Sequence, residues 1–268
     1  MKKKYLLLVS IFLISLLFSC GKNNDSVSLI DSVKKRGVLK VGMSTFVPWA
    51  MNDKKGNLIG FEIDVARELA RDLGVKIEFV PTKWSGIIPA LLTGKFDVII
   101  GGMGITKERE KKVDFSRPYE YSGMSIVANR KKAPGFKSLE EFNKAGIVIA
   151  VRLGTTAAEA ARKYLPRTTI KFFDDESQAI QELLTDRAHA VIASAPLPEF
   201  QSIKYSSKFY LPLKDTFTKE PIGFALRKGD GKTLEVLNKW IDKKWSDKFL
   251  EEKKNYWFRT RKWAGLIE

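Results

Sequence analysis

Two thirteen-residue stretches far apart in the chain line up without a gap: IPALLTGKFDVII at Ile88–Ile100 and IQELLTDRAHAVI at Ile180–Ile192. Each reads as a short amphipathic helix, a turn and a buried apolar strand. They share Leu-Leu-Thr and a basic residue in the turn. Any helix–turn–strand unit has part of this pattern, but the shared details favour two structurally equivalent lobes. The flanking sequence repeats the plan. In the first half Val38–Met43 reads as a strand, and Phe61–Leu73 as a helix with Phe61, Val65, Leu69 and Leu73 on one face and Gly74 as its C-cap. Lys76–Val80 follows as a strand, then helix Ile87–Leu92, stopped at Gly94, and strand Phe96–Ile100. In the second half a Ser138/Glu141 capping box opens a short helix. Strand Ile147–Val151, helix Thr156–Tyr164, strand Ile170–Phe173, helix Ser177–Leu184 and strand Ala190–Ala193 follow. Strands alternating with helices predict an α/β fold with largely parallel sheets.

Ligands of open α/β sheets bind outside the carboxyl ends of the strands. Those ends are Gly101-Gly102-Met103-Gly104 in one half and Ser194-Ala195-Pro196 in the other. If the lobes face each other, both edges line one cleft, a preferred place for a small molecule.

The N-terminus is of a different kind. Lys2, Lys3 and Lys4 precede an apolar run, Leu6–Phe18, too short to cross a bilayer, which needs roughly 20 apolar residues. It reads as a secretory signal spanning residues 1–19, with a polar linker over 20–28. Cys20, the one cysteine of the chain, stands at the cleavage point. Leu17-Phe18-Ser19-Cys20 is similar to a bacterial lipobox, although Phe18 is bulkier than usual there. The similarity implies lipid attachment, palmitate among the acyl chains, and a membrane anchor at Cys20. Several chains hold firmly where one binds marginally. No cysteine remains for a disulfide or a thiolate metal site, so stability rests on the core.

The formal charge of +16 would suggest nucleic acid in a cytoplasmic protein. The export signal argues against that partner, and the lysines and arginines are dispersed instead of gathered in a stripe.

Two segments carry the chemistry. In Gly101–Arg109, three glycines after a buried strand leave backbone groups open to a ligand. Thr106 can cap a short turn that carries Arg109, and a guanidinium grips a carboxylate through two parallel hydrogen bonds. On its own Arg109 would read as a surface residue. In Val151–Ala161, Gly154-Thr155-Thr156 opens an alanine-rich helix whose first amides lack internal partners and favour an anion. Together, an arginine from one half and a helix start from the other would clamp one carboxylate. His189, the only histidine, falls where a structural role is expected. Neither a metal site nor a Ser-His-Asp set can be assembled. No cofactor is expected.

With these stretches in view, the chain resembles the family 3 solute-binding proteins of ABC importers, the polar amino-acid binders, over Leu29–Leu266. The resemblance is carried by STFVPWA (Ser44–Ala50), GFEIDVARELA (Gly60–Ala70), GGMGITKEREKKVDFSRPY (Gly101–Tyr119), VRLGTT (Val151–Thr156) and IGFALRKGD (Ile222–Asp230). It implies a type II periplasmic-binding fold whose two α/β lobes are joined by crossing segments near Tyr119–Gly123 and Phe217–Ile222. The large lobe would comprise 29–120 plus 222–268 and the small lobe 121–221. It further implies that Phe46 stacks on the ligand and Trp84 forms a second apolar wall. Gly102 would offer its carbonyl to an ammonium and Gly104 its amide to a carboxylate. Arg109 would hold the carboxylate with the Thr156 amide, and Arg152 would influence side-chain selectivity. The implied partners are a small carboxylate-bearing solute and a cognate ABC permease. The protein would act as an exported, lipid-anchored monomer, periplasmic or cell-surface.

Two positions depart from the family pattern. Gly104 replaces a usual Ser or Thr, and Ser194 stands where an aspartate usually pairs with the ligand's ammonium. A buried ammonium without an anion is costly. Either another carboxylate reaches in (Asp174, Asp175 or Glu199), or the ligand is an organic anion without an amino-acid head group. The rival from another class is an enzyme like the cyclohexadienyl and arogenate dehydratases of this fold. Such an enzyme needs a placed acid near position 197, where this chain has Leu197. A sensory ectodomain would need a membrane-spanning helix downstream, and none is legible after Cys20.

Overall fold

The computed structural model describes residues 27–267. The proposed signal, the lipobox and Cys20 lie outside the described residues. Two five-stranded sheets organise the chain. Twelve strands suffice to place the site: β1 (Val38–Met43), β2 (Lys76–Pro81), β3 (Val98–Ile99), β4 (Asp114–Phe115), β5 (Glu120–Ser122), β6 (Met124–Asn129), β7 (Val148–Arg152), β8 (Thr169–Phe173), β9 (Ala190–Ser194), β10 (Phe209–Tyr210), β11 (Glu220–Ile222) and β12 (Ala225–Leu226). The first sheet runs β2-β1-β3-β12-β4 and the second β8-β7-β9-β6-β10. In each, the first three strands are parallel and the fourth is antiparallel to the third. The strands of the two repeats, β3 and β9, therefore hold the same central place. This is the type II two-lobed α/β architecture.

Local chemistry sets the helices. Helix Phe61–Leu73 buries Phe61, Val65 and Leu69 completely and ends at Gly74, whose φ of 71° only glycine adopts without strain. Helix Ile87–Leu92 forms as its sequence predicts, with Gly94 at φ 76° in the turn that follows. Helix Leu139–Phe142 carries the Ser138/Glu141 capping box. The β3 ladder is shorter than the expected strand Phe96–Ile100. Its flanks still bond to β1, Asp97 N–H to the Lys40 carbonyl at 2.9 Å and Ile100 N–H to that of Gly42 at 3.2 Å.

Each sheet has its own core. Trp49, Phe61, Tyr119 and Phe224 pack with Leu237, Trp240 and Ile241 of the C-terminal helix Gly231–Ser246 on the first. Ile126, Phe142, Ile149, Val151 and Ile192 pack on the second. Two strands link them: β5 pairs antiparallel with β11, Glu220 opposite Ser122 and Ile222 opposite Glu120. Among the described residues no helix is long and apolar enough to cross a membrane.

Candidate functional site

The carboxyl ends of both sheets meet across a narrow crevice of about 440 Å³ including its mouth, bordered by Phe46, Trp84, Gly102, Arg109, Arg152, Thr156 and Ser194 among others. After β3 the chain turns through Gly102, at φ 70°, where a Cβ would lie 3.0 Å from the Phe46 ring and 3.2 Å from that of Trp49. Phe46 stacks on Trp49, centroids 5.6 Å apart and planes at 15°. Thr106 then caps helix Lys107–Glu110 by accepting from the Arg109 amide, which turns the Arg109 side chain inward.

Arg109 is buried, and its guanidinium donates to the carbonyls of Gly104 (2.9 Å) and Gly154 (3.3 Å). Among the described residues it has no carboxylate partner within ion-pair distance. Burial pulls its pKa down from the ordinary arginine value, opposed by the fields of Glu159 and Glu220. A buried cation met by carbonyl dipoles and a neutral ring, with carboxylates acting only from beyond ion-pair distance, is under-compensated, so an anion entering the crevice gains what the protein does not supply.

From the second lobe, β7 delivers Arg152 and then Gly154, Thr155 and Thr156. Thr155 caps helix Thr156–Tyr164 by accepting from the Ala158 amide at 3.2 Å. The Thr156 and Ala157 amides at the helix start have no intrahelical acceptor and carry partial positive charge. Trp84 lies between the two arginines, its ring 5.8 Å from the Arg109 guanidinium carbon and 5.6 Å from that of Arg152. Its indole N–H donates across the crevice to the Gly154 carbonyl at 3.2 Å. Trp84, expected as an apolar wall, borders the crevice and lies against two cations as well. Arg152 is held by Ser44 of the other lobe, by the Asp174 carbonyl at 3.2 Å, and by Glu176 at 4.0 Å. Burial pushes the Glu176 carboxyl up to about 7 despite Arg152.

Seven of the eight residues singled out from the sequence thus border one crevice. Gly104 is not among the bordering residues, though Arg109, Thr156 and Glu220 surround it, and its carbonyl is already engaged by Arg109. The carboxylates expected to reach in do not border it: Asp174 pairs with Lys83 at 2.5 Å, Asp175 caps helix Glu176–Leu184, and Glu199 is exposed. Glu176 and Glu220 take their place. Neither was legible in the sequence, though FFDDES places Glu176 at a helix start facing the strand ends. Glu220 precedes a crossing segment, with nothing local to mark it. His189 is structural, its Nδ1 accepting from the Val148 amide at 3.0 Å.

The profile of the bacterial extracellular solute-binding proteins, family 3, matches residues 39–260. The chain belongs to that family. Its similarity to the L-cystine-binding protein TcyJ of Escherichia coli (strain K12) is 31% identity over 231 residues, 86% of each chain. Among solved structures, the ancestral amino acid-binding protein AncCDT-1, a precursor of cyclohexadienyl dehydratase, is 42% identical. It superposes with a TM-score of 0.79 over 86% of this chain and 99% of its own. A binding component of an ABC transporter from Wolinella succinogenes DSM 1740, complexed with lysine, is 37% identical with a TM-score of 0.80, over 85% and 99%. By family, then, this chain is a solute-binding protein. Leu197, the position where the dehydratase reading needs an acid, puts a buried apolar side chain at the start of helix Leu197–Lys204.

A buried carboxyl supports the Gly102 turn of this solute-binding protein from behind. Glu62 is fully buried and accepts from the Tyr119 hydroxyl at 2.7 Å. Burial pushes it up to about 8, Glu120 adds to the rise, and Tyr119 and the Gly102 amide oppose it. The native state therefore keeps a proton that the unfolded chain releases above about 4.3. The stabilisation is complete below that value and is lost as pH rises toward 8. The melting temperature is expected to fall from pH 5 to pH 8, by an amount reflecting a few kcal/mol. Glu62→Gln should flatten that fall, leaving the smaller slope that Glu176 adds up to about 7. Calorimetric scans at stepped pH decide this; parallel slopes in parent and variant would remove Glu62 as the cause.

Proposed function

We propose that this protein is the substrate-binding component of an ABC importer and closes two lobes around an amino acid. The supporting observation is the Arg109 guanidinium, buried without a carboxylate, facing the start of helix Thr156–Tyr164 across the interlobe crevice. The binding roles named for the cystine- and lysine-linked relatives agree with an amino acid as ligand. Phe46, Trp84, Gly102, Gly104, Arg109, Arg152, Thr156 and Ser194 are the proposed ligand-binding set. Large lobe 29–120 plus 222–268 and small lobe 121–221 would rotate about the β5/β11 pair. A ligand touching both lobes favours the closed form by the contacts it makes only there.

A thermal-shift panel of the twenty standard L-amino acids and L-cystine tests the reading. A ligand at a hundred times its Kd adds about 2.7 kcal/mol to stability, so a true ligand should raise the melting temperature clearly. If no member does, the amino-acid reading fails.

We also propose that the chain is exported, anchored through a lipid on Cys20, and passes its ligand as a monomer to a separate permease. Cys20→Ser should move the protein from the membrane fraction to the soluble one in a cell producing it. Unchanged membrane association of the variant would count against the anchor.

A further inference from the structure

The charged side chains of the crevice sort into two kinds. Arg152 and Glu176 lie within ion-pair distance of each other, at 4.0 Å. Arg109 and Glu220 remain, and the molecule gives neither an ion-pair partner among the described residues. Glu220 is half-buried and lies on β11, one of the two strands linking the lobes. Among the described residues its carboxylate accepts from neutral hydroxyls only, Thr156 Oγ1 at 2.7 Å and Thr218 Oγ1 at 3.2 Å. The two unpaired groups flank a single point. A Cβ on Gly104 would lie 3.1 Å from Glu220 Oε2, 3.5 Å from Arg109 Nη1 and 3.8 Å from Thr156 Cγ2. The glycine at 104 therefore gives the Glu220 carboxylate the room to reach the anion clamp, where any larger residue would press on it.

Resting on the reading that Arg109 holds a ligand carboxylate, we infer that Glu220 is the group that recognises the ligand's ammonium and makes the site selective for α-amino acids over their des-amino counterparts. The chemistry is complementary: a zwitterion carries opposite charges on neighbouring atoms, and the crevice presents a guanidinium and a carboxylate within 3.5 Å of one point. A carboxylate met by hydroxyls has no counter-charge of its own and can form a charge-assisted hydrogen bond to a cation that arrives. Ser194, on the small-lobe side, cannot supply that charge, since its hydroxyl is neutral; it lies 2.9 Å from that of Ser122. The counter-charge for the ammonium thus comes from the crossing strand and not from the end of β9, where Ser194 stands. Ammonium recognition is thereby attached to the strand about which the lobes turn.

The test uses isothermal titration of the parent, Glu220→Gln, Glu176→Gln and Arg109→Ala. Each is titrated with those of the twenty L-amino acids and L-cystine that bind the parent, and with the same compounds lacking the α-amino group (6-aminohexanoate for L-lysine, for example). The parent is expected to prefer the amino acid over its des-amino partner by at least ~30-fold, the range for a buried charge left unpaired. Glu220→Gln preserves shape and an acceptor for the Thr156 hydroxyl, and should collapse that preference to within about threefold, the scale of a lost rim contact. Glu176→Gln should keep the preference, which separates a specific role from a general change of potential. If Glu220→Gln retains the preference while Arg109→Ala abolishes binding of both compounds, the assignment of Glu220 is overturned and the carboxylate clamp stands. If the parent binds the des-amino compounds as tightly as the amino acids, the ammonium site is likewise overturned. If Arg109→Ala leaves both affinities intact, the underlying reading is what fails.

Discussion

Arg109→Ala should weaken binding of the cognate amino acid at least ~100-fold while leaving the ligand-free protein folded. Truncating one partner of a buried, hydrogen-bonded charge pair costs about 2–5 kcal/mol, and each 1.4 kcal/mol is about tenfold in affinity. The loss is large because the protein offers no substitute. Trp84 lies against the guanidinium but carries no charge, and Arg152 is tied to Ser44, the Asp174 carbonyl and Glu176. The fold should tolerate the change for the converse reason. Arg109 stands on the four-residue helix Lys107–Glu110, anchored by its own cap. Of the two carbonyls it contacts, that of Gly154 keeps the Trp84 indole as donor. Removing a buried cation also removes its desolvation cost, the cost that already depresses its pKa. Calorimetric titration measures the affinity, and a thermal melt of the ligand-free variant checks the fold. A variant that binds like the parent would show that the carboxylate lies elsewhere.

Gly123→Ala should lower the melting temperature by about 6–12 °C, the largest stability effect we expect from adding one methyl group. Gly123 joins β5 to β6, where the chain leaves one lobe for the other. A Cβ there would lie 2.0 Å from the Thr218 carbonyl oxygen and 2.8 Å from Thr216 Cβ and Oγ1. The nearest atom belongs to the backbone of the opposing crossing segment, so it cannot rotate away as a side-chain tip would. That backbone is also fastened to the neighbouring residue. The Phe217 amide donates to the Met124 carbonyl at 2.9 Å, and the Met124 amide to Thr218 Oγ1 at 2.8 Å. The two crossing segments must part, breaking these bonds and disturbing the Ala195 amide that donates to the Gly123 carbonyl at 2.9 Å. Overpacking typically costs about 1–3 kcal/mol, and an approach of 2.0 Å to a backbone oxygen puts this case at the upper end of that range. Gly86→Ala is the control, because nothing lies within 4 Å of its added carbon. Scanning calorimetry of the three proteins decides; a Gly123→Ala melt within about 2 °C of the parent would mean the segments give way without strain.

Both predictions concern residues whose type the sequence displays and whose neighbours it does not. Helices Phe61–Leu73, Ile87–Leu92 and Thr156–Tyr164 were legible to the residue, because their apolar faces repeat every three or four positions and their ends carry glycine or a hydroxyl cap. The equivalence of the sheets was legible in the Leu-Leu-Thr repeat, and β3 and β9 do take the same central position. Strand Phe96–Ile100 was overextended, since apolar character marks burial while a ladder also needs a partner in register.

The carboxylates show where such reading stops. Asp174, Asp175 and Glu199 were the candidates because they stand near the strand ends in sequence, yet Asp174 is drawn to Lys83 and Asp175 is the N-cap residue of a helix, its amide donating to Gln178. Glu220 reaches the site from a crossing strand, and nothing in TKEPIG distinguishes it from a solvated acid. The sequence alone determined the elements, their order, the two-lobed plan and the separate anion-binding parts, since each depends on interactions a few residues apart. Only the tertiary structure decided which charges are neutralised and which face the crevice unpaired. That outcome depends on how lobes far apart in the chain come together, and on the space a single glycine leaves between them.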